Sequence, residues 1–278
     1  MKKLTLLLFI LMTVPAFAQT TAIPDANFEQ ALIDLGHDTG APDGSVLTAN
    51  ISGLFYLNVG GKSISDLTGI QDFTALYNLE CYNNQLTNID LTQNSDLWYL
   101  NINNNQLTSL DVTQNIALLS LMCDENQLTS LDLTQNTALD LIGCYNNQLT
   151  SLDLTQNIAL LHLDCSYNQL SCLNVKNGNN SSISLFSSNN NFSLSCIEVD
   201  DVAWSTANWT DIDAGVTFST NCSNACSGIP TTTEEYSNQP RKLIRILDLL
   251  GRETNFKPNT PLIYQYDDGS VEKVIREY

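Results

Sequence analysis

Apolar residues recur along the chain in a pattern that repeats every 21 residues between residues 76 and 175. The unit has the form L-x-x-L-x-C-x-x-N-Q-L-T-x-L-D-L-T-Q-N, and later copies begin at Leu97, Leu118, Leu139 and Leu160. Within each unit, apolar and polar positions alternate in two short tracts, and a period of two is typical of β-strands. The pattern therefore predicts a solenoid whose coils carry two short strands each, forming two parallel sheets on opposite walls.

The repeating unit resembles the leucine-rich repeat, L-x-x-L-x-L-x-x-N/C-x-L, over residues 54–175. It is similar to the nested 21-residue repeats of bacterial surface proteins, and this resemblance implies a mainly β leucine-rich-repeat solenoid. It also implies that one asparagine per coil turns inward and hydrogen-bonds backbone amides of the turn. These asparagines are Asn84, Asn105, Asn126, Asn147 and Asn168.

The two ends of the repeat array, residues 54–195, show weaker versions of the pattern. The first coil, residues 54–73, has apolar spacings of three and four in its second half, which predict a short helical turn. At the other end, residues 183–195 are interpreted as a degenerate last coil. In this interpretation the roles of the repeat are taken by Leu185, Asn190 and Phe192.

The segment before the repeats predicts a signal peptide and a cap. Residues 1–18 combine two lysines, a short apolar run and an Ala-Phe-Ala site, as in a cleaved secretory signal. Residues 19–53 are expected to cover the open N-terminal end of the solenoid, which would otherwise expose core leucines. Within this cap, Asp25 is the expected N-cap of a helix over residues 23–36, and a strand is expected over residues 46–51.

The segment after the repeats predicts a second cap, a linker and a separate C-terminal module. Residues 196–226 resemble the C-terminal caps of secreted bacterial repeat proteins, and residues 227–240 form a Thr-, Ser- and Pro-rich linker. In residues 241–278, an Asp-Gly turn between two apolar tracts predicts a β-hairpin. The Leu-Gly-Arg-Glu and Pro-Leu-Ile-Tyr-Gln-Tyr sequences resemble the sorting domain of the Bacteroidota type IX secretion system. This resemblance implies transfer across the outer membrane by the type IX secretion machinery, followed by release or surface anchoring.

The distribution of charge narrows the class of partner. Residues 19–240 contain only two basic residues, Lys62 and Lys176, against 24 Asp and Glu. Nucleic-acid binding needs Lys and Arg at the phosphates, and anionic membrane surfaces attract basic segments, so neither is an expected partner. Insertion into a membrane after signal cleavage is not expected either, because no later apolar run reaches ~20 residues. Cationic proteins, neutral glycans and metal ions remain as the classes of partner that the charge allows.

The eight cysteines fall into two groups. One group takes an inward leucine position, where stacked Cβ atoms lie ~4.8 Å apart, further than the ~3.8 Å of a disulfide. We expect these four to be reduced and buried: Cys81, Cys123, Cys144 and Cys165. In the second group, Cys196–Cys222 is the favoured disulfide of an exported chain, and Cys172 and Cys226 either pair with each other or stay free.

No catalytic motif is recognisable, and the chain is predicted to be neither an enzyme nor cofactor-dependent. A Cys165–His162 pair is not expected to react, because residues three apart on one strand point to opposite faces. Glycoside hydrolysis would need a paired-carboxylate cleft, which a flat repeat face does not supply.

Two groups of aspartates are weak candidates for a cation site. The first is the loop around Asp34, Asp38 and Asp43, for which an ordinary polar turn is the alternative. The second is a column in which carboxylates ~5 Å apart either recruit a cation or bond neighbouring threonines. This column comprises Asp90, Asp111, Asp132 and Asp153.

The outward positions of the first tract vary from coil to coil, whereas those of the second tract are almost constant. Variable aromatic and carboxylate residues on a constant scaffold are typical of a solenoid binding surface, and neutral drift is the alternative. We therefore predict a secreted or cell-surface recognition or adhesion protein that binds protein or glycan ligands. The alternative is an acidic structural surface-coat protein. The candidate residues are Tyr82, Trp98, Tyr99, Met122, Asp124, Tyr145, His162 and Asp164.

Overall fold

The computed structural model describes residues 18–222, Cys226 and three strands between residues 243 and 274. These residues fall into two compact units, one ending at Gly228 and the other beginning at Ile229. The first unit contains a seven-stranded parallel sheet with one strand per coil. Its strands are Tyr56–Asn58, Asn78–Glu80, Tyr99–Asn101, Ser120–Met122, Leu141–Gly143, His162–Asp164 and Leu185–Ser187.

A second parallel sheet has four strands, two from the second tract of the last regular coils and two from residues 196–219. Its strands are Ser151–Asp153, Cys172–Asn174, Cys196–Glu198 and Thr217–Ser219. The predicted mainly β solenoid with two short parallel sheets is thus confirmed. In the earlier coils the second tract forms no strand, and neighbouring coils bond there through glutamine amides, such as Gln106 N to Leu86 O at 2.8 Å. The second sheet therefore occupies only the C-terminal part of its wall.

One continuous hydrophobic core runs through the coils, because the inward positions repeat in register. Buried asparagines close the turn after six of the seven strands of the seven-stranded sheet. The Nδ2 of Asn126 donates to the carbonyls of Ile102 and Cys123 at 3.0 and 3.2 Å, and its Oδ1 accepts from Leu107 N at 3.0 Å. The preceding residue, Glu125, has a left-handed φ of 53°. Asparagine adopts this backbone conformation more readily than most residues do, which explains the recurrent Asn-Asn pairs.

The N-terminal cap is attached to the first coil through one aspartate. The helix Ala26–Asp34 begins at Asp25, whose side chain accepts the backbone amides of Asn27 and Phe28. The other carboxylate oxygen accepts from the amide and hydroxyl of Ser65, at 2.8 and 2.7 Å, and from the amide of Asp66. The predicted N-cap is therefore confirmed, and it also holds the cap helix against the solenoid.

Two further predictions for this region have different outcomes. The strand expected over residues 46–51 is wrong in its second half, because the strand Ser45–Leu47 gives way to a helical turn, Thr48–Ile51. This turn brings Ile51 fully into the core. The strand pairs antiparallel with Thr20–Ala22. The helical turn predicted in the first coil is confirmed as a 3-10 turn, Ile70–Asp72.

The register predicted for the last coil is wrong by one residue at the strand and at the asparagine, and by two residues at the apolar position that follows. Leu185 and Phe192 are 56% and 87% exposed, and the inward positions belong to Phe186, Asn191 and Leu194. The pairing of Phe186 with Leu163 fixes this register. The Nδ2 of Asn191 donates to the carbonyl of Cys165 at 3.0 Å, as a member of the asparagine column does.

Residues 196–219 contribute two strands of the four-stranded sheet and the helix Val202–Asn208. Disulfides join Cys172 to Cys226 and Cys196 to Cys222. The remaining four cysteines are free and buried in the core. No helix in the described part of the chain is long and apolar enough to cross a membrane.

The second unit contains three antiparallel strands, Leu243–Leu247, Leu262–Tyr266 and Val271–Val274. The last two form the hairpin that the Asp-Gly sequence predicts. Residues 1–17 of the predicted signal peptide lie outside the described residues, as does the predicted linker, residues 227–240.

Candidate binding face

The candidate residues lie on the outward surface of the seven-stranded sheet and beside it, which we call the strand face. Strand residues alternate in direction, so Leu100 is fully buried while its neighbours Tyr99 and Asn101 are partly exposed. Met122, His162 and Asp164 occupy equivalent outward positions on other strands. Three further candidates lie two residues beyond a strand, in the turn that the asparagine column closes. These are Tyr82, Asp124 and Tyr145.

Tyr82, Asp124 and Tyr145 meet in a pocket of about 260 Å³. Two glycines make room for their side chains. A Cβ atom at Gly60 would lie 2.6 Å from the ring of Tyr82, and one at Gly143 would lie 2.8 Å from the carboxylate of Asp124. Four successive coils contribute to the pocket. Its lining residues are Tyr82, Asn83, Asn101, Asn103, Asn104, Asp124, Glu125 and Tyr145.

Asp124 joins the backbones of neighbouring coils. Its Oδ1 accepts from Tyr145 N at 2.9 Å, and its own amide donates to Asn103 Oδ1 at 2.7 Å. Burial raises the pKa of Asp124 to about 6, with the charge of Asp164 acting in the same direction and the Tyr145 amide opposing it. The strand face therefore holds a carboxylate that lacks a neutralising partner charge.

Tyr145 and Glu125 also line this pocket. The Tyr145 hydroxyl donates a short hydrogen bond to the Glu125 carboxylate, and this bond raises the pKa of Tyr145 to about 12. Because the single phenolic proton is donated to Glu125, the Tyr145 hydroxyl offers a ligand its oxygen as a hydrogen-bond acceptor.

Exposed aromatic residues extend along the edge of the sheet where the strands begin. Trp98 stacks on Tyr77 with ring centroids 5.2 Å apart and an interplanar angle of 10°. Phe55 occupies the equivalent position one coil earlier and is 70% exposed. Sequence analysis identified Trp98 but missed Tyr77 and Phe55. The sequence signal that could have identified them is their position, because each residue stands immediately before a strand. Backbone hydrogen bonds link these equivalent positions, from Tyr77 N to Phe55 O and from Trp98 N to Tyr77 O.

The remaining candidates lie elsewhere on the strand face and do not line the pocket. Tyr99 donates its hydroxyl to the sulfur of Met122, in the next coil, at 3.5 Å. His162 and Asp164 lie on the strand nearest the last coil, where Asp164 accepts hydrogen bonds from the amide and hydroxyl of Ser166. The strand face thus combines the pocket with two groups of candidate residues outside it, Tyr99 with Met122 and His162 with Asp164.

Each carboxylate of the aspartate column is engaged by its own turn. Asp90 Oδ1 accepts from the amide and hydroxyl of Thr92 at 3.0 and 2.7 Å, and Asp111 and Asp132 repeat this arrangement. Asp153 accepts the amide of Thr155. The hydrogen bonds from Thr92 lower the pKa of Asp90. This geometry corresponds to the local hydrogen-bonding alternative for the column.

The N-terminal aspartate loop is likewise held by bonds within the protein. Asp34 accepts from Gln30 and forms an ion pair with Lys62 at 3.2 Å. The amides of Asp43 and Gly44 donate to the carboxylate of Glu29, which lies in the cap helix. Among the described residues, no three His, Cys, Asp or Glu side chains are arranged to hold a metal ion.

Cys165 and His162 lie on opposite sides of their strand. The thiol is fully buried, whereas the imidazole is partly exposed on the strand face. Burial raises the pKa of Cys165, so the reactive thiolate form is disfavoured at neutral pH. The two side chains therefore lack the relative position of a nucleophile and its base, and the thiol lacks the ionisation state of a nucleophile.

No protein-family model and no curated protein matches the chain. Among solved structures, the functional domain of InlJ from Listeria monocytogenes, which includes a cysteine ladder, is 26% identical with a TM-score of 0.30. The match covers 66% of this chain and 58% of that one, so the chain spans just over half of the InlJ domain.

Two internalins from the same organism are also similar. Internalin C2 is 19% identical over 74% of this chain and 100% of that one, with a TM-score of 0.49. InlF is 18% identical over 71% of this chain and 68% of that one, with a TM-score of 0.50. Together with the parallel sheets, the similarity to InlF shows that the fold is the leucine-rich-repeat solenoid of the internalins.

Proposed function

We propose that the protein is a secreted or cell-surface recognition protein that binds a protein or glycan ligand through the strand face. The pocket of about 260 Å³ is the observation that carries this proposal. Three residues at a position that varies between coils converge there, so that one site combines Tyr82, Asp124 and Tyr145 from three different coils. A site assembled from variable positions can be altered without changing the repeat scaffold.

The lining of the pocket suits a polar ligand that is neutral or basic. Two tyrosines offer apolar ring surface together with hydroxyl groups, which is typical of protein and ligand interfaces. Asparagine amides supply both hydrogen-bond donors and acceptors. Asp124 and Glu125 add negative charge. In residues 18–222 the only Lys and Arg are Lys62, paired with Asp34, and Lys176, which donates to Thr220 O.

The proposed location outside the cell follows from the ends of the chain. Residues 1–18 would direct export, and residues 241–278 would engage the type IX secretion machinery. Two disulfides fit an oxidising compartment. The array, residues 54–195, would then be displayed between caps formed by residues 19–53 and 196–226. We further propose a binding rather than a catalytic role, because Cys165 and His162 point to opposite sides of their strand.

The experiment is binding of the purified chain, from residue 19 onward, to arrays of glycans and extracellular-matrix proteins. A triple variant, Tyr82/Tyr99/Tyr145→Ser, should lose saturable binding to the ligand of the strand face. The matched control substitutes three exposed glutamines of the second tract and should bind as the parent does. This control is Gln93/Gln114/Gln135→Ser. No saturable binding, or equal loss in both variants, would contradict the proposal and favour the surface-coat alternative.

A further inference from the structure

A second cavity, of about 410 Å³, lies at the C-terminal end of the solenoid, which we call the terminal groove. It lies between the last strand of the seven-stranded sheet, Leu185–Ser187, and the helix Val202–Asn208. None of its lining residues lines the pocket on the strand face. The terminal groove is therefore a separate concave site whose size lies within the ~300–1,000 Å³ of small-ligand pockets.

The aromatic wall of the terminal groove is fixed by its own packing. Trp209 stacks on Phe186 with centroids 4.1 Å apart and an angle of 7°, and Trp204 meets Trp209 edge to face at 5.7 Å. The indole Nε1 of Trp209 donates to the carbonyl of Ile183 at 3.4 Å. Trp209 is almost completely buried, whereas Trp204 remains partly exposed. A ligand would thus meet the exposed part of Trp204, which the buried Phe186–Trp209 stack holds in place.

Polar side chains complete the lining of the terminal groove. Asn208 is oriented by its Nδ2, which donates to the carbonyl of Trp204 at 2.8 Å. Asp211 accepts from the side chain of Asn189, so its carboxylate is also held in place. Half of the ten lining residues are Ser, Thr, Asn or Asp, and none is Lys, Arg or His. The terminal groove therefore offers fixed hydrogen-bonding groups beside an aromatic face, without positive charge.

This combination identifies the chemical class of the ligand. A sugar ring presents an apolar face of C–H groups to an aromatic side chain and directs its hydroxyls to amide and carboxylate oxygens. A purely apolar ligand would displace water from the remaining hydrogen-bonding sites of Asn208 and Asp211 without replacing it, which is unfavourable. An anionic ligand would meet a carboxylate and no cation. We propose that the terminal groove binds a neutral saccharide, as a site separate from the pocket on the strand face.

The test uses tryptophan fluorescence, because two of the three tryptophans, Trp204 and Trp209, line the groove. In a Trp98→Phe chain, all tryptophan emission comes from these two residues. Titration with a panel of neutral hexoses, N-acetylhexosamines and their disaccharides should give a saturable change for at least one of them. The variants Asn208→Ala and Asp211→Asn should each weaken that binding at least tenfold.

Two control variants assign saccharide binding to the terminal groove rather than to the helix surface or the strand face. Thr206→Ala alters the same helix at an exposed residue outside the groove lining, and it should leave saccharide affinity unchanged. Substitution of Tyr82, Tyr99 and Tyr145 by serine should also leave it unchanged, so that failure of strand-face recognition and failure of the groove are told apart. The proposal is overturned if no saccharide in the panel changes the emission. It is equally overturned if Asn208→Ala and Asp211→Asn, still folded by circular dichroism, bind with the parent affinity.

Discussion

Neutralising Asp124 should stabilise the protein at neutral pH. Burial raises its pKa from 3.8 to about 6, so the folded state holds a proton that the unfolded state releases between these pH values. The free energy of unfolding therefore falls as the pH rises through this window, and the full cost is present above pH 6. A shift of about two pKa units at about 1.4 kcal/mol each amounts to at most about 3 kcal/mol.

The substitution Asp124→Asn retains an oxygen that can accept the Tyr145 amide and removes the charge. At pH 7.5 we expect the free energy of unfolding to rise by up to about 3 kcal/mol. For a chain of this length, that gain raises the Tm by about 6–12 °C. Below pH 4 the carboxyl is protonated in both states, so the difference between parent and variant should almost vanish.

The assay is thermal and denaturant unfolding of parent and variant between pH 3.5 and 7.5. Asp111→Asn is the matched control, because the hydrogen bonds from Thr113 lower the pKa of Asp111. The Asp111 carboxylate stabilises the fold at pH values above the pKa that it has in the unfolded chain, and this contribution is lost as the pH falls. The control variant should therefore be less stable than the parent at pH 7.5. A variant Asp124→Asn with no gain at pH 7.5, or with the same gain at pH 3.5, would refute the reasoning.

Four further substitutions test other parts of the structure. Asn126→Ala leaves buried backbone groups without hydrogen-bond partners, at a cost of about 1–3 kcal/mol each, and urea unfolding should detect this loss of stability. The control is Gln127→Ala at the exposed neighbour, which should change stability by less than about 0.5 kcal/mol. Asp25→Ala should cost about 1–2 kcal/mol at pH 7. Burial alone would raise the pKa of Asp25, but bonds from Ser65, Phe28 and Asp66 outweigh it and lower the pKa below 3.8, so this loss should shrink as the pH falls through the lowered pKa. Replacing Cys172 and Cys226 by alanine opens a loop with a sequence separation of 54 and should lower stability by about 4 kcal/mol, measured against the parent with its disulfides intact. Tyr167 has a left-handed φ of 53°, so Tyr167→Asn should raise the Tm by a few degrees, and a lower Tm would contradict this view of the turn.

The repeat made the coil predictable because each structural role recurs at a fixed position. Inward leucines and cysteines, the asparagine turn and the Asp25 cap all follow from residue type and spacing. In each case the physical requirement is local: an apolar side chain must face the core, and a buried amide must find a partner. Such requirements can be read from a single coil without knowledge of its neighbours.

Pairing between coils was less predictable because it depends on the neighbouring coil. Residues 128–136 and 149–157 have the same sequence, Leu-Thr-Ser-Leu-Asp-Leu-Thr-Gln-Asn, yet only the second contains a strand. That strand, Ser151–Asp153, pairs with Cys172–Asn174 of the following coil. Residues 187–191 are all Ser or Asn, and such a polar run does not specify which residue faces the core.

The candidate site was predictable residue by residue but not as a constellation. Tyr82, Asp124 and Tyr145 were identified from their variability, but their convergence depends on side chains that extend over glycines in adjacent coils. The terminal groove gave no sequence signal at all, because it brings together residues 181–186 and 204–211 from two different elements. Proximity across the fold, rather than residue type, defines both cavities.

Hydroxyl-radical footprinting of the chain with its captured ligand would show directly where recognition takes place. If recognition occurs on the strand face, Tyr82 and Tyr145 should lose reactivity on ligand binding, while the exposed Ile116 and Ile158 should react as before. Protection confined to the second tract of the coils, or unchanged reactivity of both tyrosines at saturating ligand, would contradict recognition through the strand face.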